Sequence, residues 1–338
     1  MPKIEVAVRQ TAVSVTKQLP KDQVRKPSAN GSMLARAVPV AELDWSEWYS
    51  VLIYGTNRVG KTTLACQFEK PVALVSFEPS PFTGGAVSVK KMAGVDHFLV
   101  IPSTAEERWP KGRQLPVVGT MGAVQLAEEL MEDERYKTVV LDGGTSLQDV
   151  ALCELMDLPE LPAQMKVARS KDDRSWGVAT SDNYMDRSAK AKEVLRKFLN
   201  LRKHRVILCK ERDHNPPRDE KGNVRRDKLT RGLTLESFVA ADLGQATAGW
   251  LMDACDCVCR LYLAEEIKTE EYLVAGVKTM QEVGTGKMVR RLLTQLHTNF
   301  AAGVRSASPD NVPEFVEGRT PQELHRRLMQ VLRGEKVT

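Results

Sequence analysis

Residues Gly55-Thr56-Asn57-Arg58-Val59-Gly60-Lys61-Thr62 meet the spacing Gly-x-x-x-x-Gly-Lys-Thr in full. Each residue type there has a task at a phosphate chain. The glycines let the backbone curl so that its amides point inward at phosphate oxygens. Lys61 sets an ammonium against the β- and γ-phosphates, and Thr62 offers a hydroxyl to Mg²⁺. A chain of this length carries such a pattern by accident about once in a hundred. The expected cofactors are therefore ATP, or a related nucleoside triphosphate, and Mg²⁺. The expected contacts run through Gly55, Thr56, Asn57, Arg58, Val59, Gly60, Lys61, Thr62 and Thr63.

A phosphate site of this kind also needs a carboxylate at the end of a buried strand to hold the metal's water. Thr138-Val139-Val140-Leu141-Asp142 supplies Asp142, which joins Thr62 as the expected metal pair. The next residue is Gly143, so no glutamate follows directly to activate water. Glu78 is the expected base. It closes the apolar run Val72–Phe77, and neighbouring strand ends of a parallel sheet open onto one crevice.

The elements that must position these residues are legible as alternating patterns. Ser50–Tyr54 is an apolar run entering Gly55, and Thr62–Phe68 reads as the helix that follows. Further strands are expected at 72–77, 97–101, 138–141 and 205–209. Helices are expected from Thr120, as cap, to Glu134, around 147–155 and over 188–202. Strands alternating with helices predict an α/β fold with a mainly parallel sheet covered by helices. Later strands, expected at 256–263, 270–280 and 290–296, add to one edge. Thr320-Pro321-Gln322-Glu323 has the spacing of a capped final helix.

The expected organisation is a basic extended arm over 1–45, an ATPase core over 46–306 and a C-terminal tail with its helix over 307–338. The formal charge is +5, and residues 1–40 hold seven Lys/Arg against two Asp/Glu, so the excess lies in the arm. Such an arm suits nucleic acid or a neighbouring subunit. No apolar run reaches membrane-spanning length, and the first residues lack a signal-peptide core, so no membrane and a cytoplasmic location are expected. Cys66, Cys153 and Cys209 sit in apolar segments without paired spacing. Cys255, Cys257 and Cys259 alternate as one buried face of a strand.

Taken as an ordered set, the residues resemble the RecA-like branch of P-loop ATPases. The set is Ile53-Tyr54-Gly55 through Ala65, Val75-Ser76-Phe77-Glu78, Val139–Asp142 and Arg205–Arg212, then Asp256–Leu261 and Arg291–Thr294. The layout is similar to phage and prophage AAA-type ATP-binding proteins, some of which are single-strand annealing recombinases. That resemblance spans roughly 50–306. It implies a RecA-like fold, ATP hydrolysis, DNA recombination, replication or repair as the setting, and a homo-oligomeric ring or filament. It also implies a γ-phosphate sensor at Lys210 or Glu211, and Arg305 as a finger reaching a neighbouring subunit's site. The loop 210–232 holds eight Lys/Arg and five Asp/Glu, and matches the place where RecA-like proteins touch DNA. Arg225, Arg226, Lys228 and Arg231 could meet phosphates of single-stranded DNA, with Trp176 and Tyr184 as stacking surfaces. Two other readings stay open: a P-loop phosphotransferase acting on a small molecule, and a nucleotide-dependent scaffold with little turnover.

Overall fold

The structure, a computed structural model, describes residues 48–77, 85–109, 114–161, 166–167, 178–214, 238–274 and 277–338. Glu78, Trp176, residues 215–232 of the expected DNA loop and the arm 1–45 lie outside them. In chain order the first half runs β1 (Ser50–Gly55), α1 (Lys61–Ala65), β2 (Val72–Ser76), α2 (Ala86–Val89), β3 (Val95–Ile101), β4 (Val117–Val118), α3 (Gly119–Glu132), β5 (Thr138–Asp142) and α4 (Gly144–Leu155). Then come β6 (Lys166–Val167), β7 (Val178–Ala179), α5 (Ser181–Leu199), β8 (His204–His214), β9 (Phe238–Ala241) and α6 (Gln245–Ala254). The chain closes with β10 (Cys257–Val274), β11 (Val277–Leu293), β12 (Gly303–Val304), β13 (Phe315–Gly318) and α7 (Pro321–Leu332).

One large sheet has the order β13-β11-β10-β1-β8-β5-β2-β3-β4. From β10 to β4 every neighbour is parallel, and β11 and β13 add antiparallel strands beyond β10. The five central strands are nearly continuous apolar runs because both faces are covered. Their side chains alternate between two cores, as the pleat requires. Leu52 and Tyr54 of β1, Val139 and Leu141 of β5, and Ile207 and Cys209 of β8 face the helices α3, α4, α5 and α6. Val51, Ile53, Val140, Val206 and Leu208 face the other way, onto α1, α2 and α7. Burial of each such side chain contributes about 1.5–3 kcal/mol. The C-terminal segment belongs to this second layer: β13 pairs with β11, and Leu324, Leu328 and Leu332 of α7 pack with Leu64 and Phe68. Thr320 caps α7 by accepting from the Glu323 amide at 3.1 Å.

Several elements differ from the sequence expectation for identifiable reasons. Helix α3 begins at Gly119, not at a Thr120 cap. Thr120 donates its amide (2.9 Å) and hydroxyl (2.6 Å) to the carboxylate of Glu154 on α4, so the start of α3 is satisfied from another helix. The late strands form one hairpin of 18 and 17 residues rather than three short strands. From Ala264↔Val289 to Val274↔Val277 its strands pair only with each other among the described residues. This two-stranded arm reaches about 30 Å beyond the sheet at ordinary strand rise. Cys255 ends α6 and sits in the first core, whereas Cys257 and Cys259 lie on β10 in the second, so the three do not share a face. All six thiols are buried and free, with the Cys257 and Cys259 sulfurs 3.0 Å apart. Among the described residues no helix is long and apolar enough to cross a membrane.

Candidate functional site

The candidate site forms where β1, β8 and β5 end. Gly55 closes β1 at φ 155°, and a Cβ there would collide with the carbonyl oxygen of Leu261 on β10. Only glycine lets the chain leave the sheet so close to its neighbour. Gly60 adopts a left-handed conformation, φ 97°, at the start of α1, and Arg58 does the same at φ 66°. A non-glycine held there stores of order 1–3 kcal/mol, which the surrounding fold must offset. Between these turns the loop wraps around Lys61. Its Nζ donates to the carbonyls of Gly55 (2.8 Å) and Thr56 (2.7 Å). Burial pulls the ammonium below its ordinary pKa, while the carboxylate of Asp142 opposes that change.

Asp142 ends β5, two strands from β1 with β8 between. The sheet nevertheless brings the pair together: Thr62 Oγ1 donates to Asp142 Oδ2 at 2.8 Å. Burial raises the Asp142 pKa, whereas the Thr62 hydrogen bond and the charges of Lys61 and His97 lower it. Gly85, just before α2, lies against this pair. A Cβ on it would strike both the Asp142 carboxylate and the Thr62 hydroxyl. A hydroxyl and a carboxylate side by side under a side-chain-free residue fit a hard divalent cation such as Mg²⁺, which takes oxygen ligands and keeps several waters.

The walls combine expected residues with others, Thr145, Ser146 and Arg290, that the sequence pattern did not single out. A cleft of about 900 Å³ runs past Asn57, Lys61, Thr62 and Asp142 to Ser146, Lys210 and Arg290. Gly143 turns the chain at φ 101°, and a Cβ on Gly144 would meet the Cys209 sulfur at 2.7 Å. These two glycines let α4 start directly above β8. Thr145 then donates to the Asp242 carbonyl (2.9 Å) and accepts from the Lys210 amide (3.3 Å). The Gly-Gly-Thr-Ser run after Asp142 was the available signal for this corner. Arg290 left no such signal, because it arrives from a strand more than two hundred residues later.

The two sensor candidates separate. Lys210 is exposed and lines the cleft. Glu211 instead accepts from Arg260 Nε at 2.9 Å. The Phe77 amide bonds the Asp142 carbonyl at 3.1 Å, which leaves the described chain one residue short of Glu78. Arg305 is not brought to this cleft. It follows β12 beside the start of β10, level with Ser50, at the opposite end of the strands from Gly55. There its guanidinium donates to the Asp253 carbonyl. Tyr184 lies on α5 under the guanidinium of Arg187, 4.8 Å from ring centre to carbon.

A sheet with the phosphate loop and the metal carboxylate on strands separated by one other strand, and helices on both faces, is the RecA-like form of the P-loop NTPase fold. The family model described as an AAA domain matches residues 47–306. The chain therefore belongs to this AAA-domain family of P-loop ATPases. No curated protein matches the chain. Among solved structures it is similar to a KaiC-like protein of the hyperthermophilic archaeon Pyrococcus horikoshii OT3, with 13% identity, a TM-score of 0.32, and 72% of this chain and 78% of that one covered. It is also similar to the flagellar accessory protein FlaH of Methanocaldococcus jannaschii, with 10% identity, a TM-score of 0.30, and 80% and 84% covered. A DnaB-like replicative helicase matches with 11% identity, a TM-score of 0.34, and 80% and 54% covered.

Proposed function

We propose that this protein is a Mg²⁺-dependent, RecA-like ATPase that acts on DNA as a homo-oligomer, in phage-type recombination, replication or repair. The observation that carries the ATPase reading is the meeting of Lys61, Thr62 and Asp142 at one end of the sheet. In it, Gly55 to Thr63 bind the nucleotide and Lys61 exchanges its loop carbonyls for phosphate oxygens. Thr62 and Asp142 hold the metal, which when bound neutralises charge on the phosphates. Glu78, directly after Phe77, takes the proton of the attacking water. Lys210 reads the γ-phosphate from β8. Arg305 faces away from its own cleft, which suits a finger serving a neighbouring copy's site.

The DNA part draws on charge and placement. β8 continues past its parallel partners to His214, pairing there with β9, and carries exposed Lys210 and Arg212 at the same end as the cleft. The basic run through residue 232 follows, and the arm 1–45 adds its own excess of cations. The test is ATP hydrolysis with and without single-stranded DNA, read beside particle size by light scattering. Stimulation by DNA, a particle several subunits in size, and loss of hydrolysis in Lys61→Ala are expected. Hydrolysis indifferent to every nucleic acid would remove the DNA role. Absence of nucleotide turnover would leave only a scaffold.

One observation favours the phosphotransferase reading. A second cavity of about 500 Å³, lined by His97, Trp109, Gln114 and Lys90, lies behind α2 next to the cleft. Transfer of labelled γ-phosphate to a small molecule rather than to water would establish that activity instead.

A further inference from the structure

The base of the β10–β11 hairpin carries several arginines, and most have an acidic partner. Arg260 meets Glu211 at 2.9 Å, and Arg291 meets Glu317 at 3.1 Å. Arg319 pairs with Glu266 on the arm itself. Arg290 is different. Its Nε donates to the carbonyl of Val59 in the phosphate loop at 3.0 Å, and no carboxylate among the described residues pairs with it. The guanidinium lies against the loop: a Cβ on Gly60 would come within 3.1 Å of Nε and 3.7 Å of Nη2. Arg290 is half-buried and lines the same cleft as Lys61, Thr62 and Asp142. With Nε fixed, the terminal N–H groups form a pre-oriented fork, the geometry that suits phosphate oxygens.

Its direction of approach is informative. Thr62 and Asp142 mark the metal end of the cleft, toward β5. In P-loop sites the metal bridges the β- and γ-phosphates. Arg290 enters from β11, on the other flank of β1. A nucleotide with its γ-phosphate at the metal end must send its α-phosphate and nucleoside the other way. We propose that Arg290 is a further phosphate-binding cation, acting in cis from the hairpin base, that grips the α- and β-phosphates of ATP and ADP alike. This rests on the ATP reading of the phosphate loop and adds to it a nucleotide contact that makes the hairpin base part of the site.

The test is calorimetric titration of the full chain with ADP and with a non-hydrolysable ATP analogue, both with Mg²⁺. Wild type, Lys61→Ala, Arg290→Ala and Arg290→Gln are compared, with thermal unfolding without nucleotide as the folding control. Loss of a charge-assisted phosphate contact should weaken both nucleotides about tenfold or more in each Arg290 variant. In turnover assays the defect should fall on KM. Glutamine can still donate to the Val59 carbonyl, so it carries the test if the alanine variant is poorly folded. Wild-type affinity in Arg290→Gln would overturn the proposal, leaving Arg290 as a prop for Val59. A loss confined to the triphosphate would overturn it too, placing Arg290 at the γ end. If wild type binds neither nucleotide, the ATP reading fails and takes this inference with it. If Lys61→Ala abolishes binding while both Arg290 variants bind normally, only this inference fails.

Discussion

Gly85→Ala isolates the metal pair by a single methyl group. The backbone at Gly85 is ordinary right-handed helical, φ −57° and ψ −31°, so alanine adds no backbone strain. Alanine also costs less chain entropy than glycine, by about 0.4–1 kcal/mol at a compatible site. The methyl, however, lands on the Asp142 carboxylate and the Thr62 hydroxyl. Both are short side chains at fixed backbone, tied to each other at 2.8 Å, and neither has a flexible stem to absorb the overlap. Either the pair separates or the segment before α2 is pushed outward. Mg²⁺ demands near-ideal octahedral distances, and a displacement of about 1 Å at a reacting centre can cost about a hundredfold in rate. The expected result is an ATPase reduced about a hundredfold, with the Mg²⁺ dependence shifted to higher concentration, in a protein that still folds but is destabilised by about 1–3 kcal/mol. Hydrolysis rates across a Mg²⁺ series, paired with thermal unfolding in chelator, measure both. Wild-type kcat and Mg²⁺ dependence in a folded Gly85→Ala protein would refute the assignment of Thr62 and Asp142 as the metal pair.

Asp142→Asn keeps an acceptor for Thr62 but removes a carboxylate whose burial is already unfavourable. Stability without metal should hold or rise, while Mg²⁺-dependent hydrolysis falls by about two orders of magnitude or more. Burial beside His204 and Arg333 pushes the pKa of His325 on α7 down to about 4. The unfolded chain then binds the proton first, so this contribution is complete above the ordinary histidine value, about 6.5, and is lost as pH falls toward 4. Denaturant titrations across that window should lose on the order of 3 kcal/mol, and His325→Leu should flatten the slope. Tyr54→Phe removes the donor to the Ala301 carbonyl, 2.6 Å away in the core, and should cost about 1–2 kcal/mol without altering nucleotide affinity. A chemical-denaturation midpoint shift with unchanged m-value checks it.

Local signals carried the phosphate loop, the Asp142 strand and the α/β class, because each is written in a short window of residues. The loop's glycines and lysine must be contiguous, and a buried parallel strand is an unbroken apolar run. What stayed hidden was supplied across distance. Glu154 caps α3 from another helix, so Thr120 looked like a cap and is not one. The pattern reads as separate strands because the pair Glu265-Glu266 and the glycines Gly284 and Gly286 interrupt its alternation. Pairing breaks at a bulge that skips Glu266 and residues 285–287, then resumes from Ile267↔Gly284 to the tip. Arg290 is one arginine among several in a charged strand, and only the order β11-β10-β1 brings it to the loop. The insertion of β8 between β1 and β5 likewise leaves no mark in either strand.

The placement of β1 bears on how the chain is made. Its neighbours are β8, from Arg205 onward, and β10, from Cys257 onward. The helix behind its loop is covered by α7, the last helix of the chain. During synthesis the phosphate loop thus emerges early, yet the strand that carries it gains its first flank about 150 residues later and its second about 50 after that. Contacts of such long separation make for slow closure. The nucleotide cradle is thus written well before it is assembled, and ATP cannot find a finished site until the strands from Arg205 and Cys257 have followed it off the ribosome.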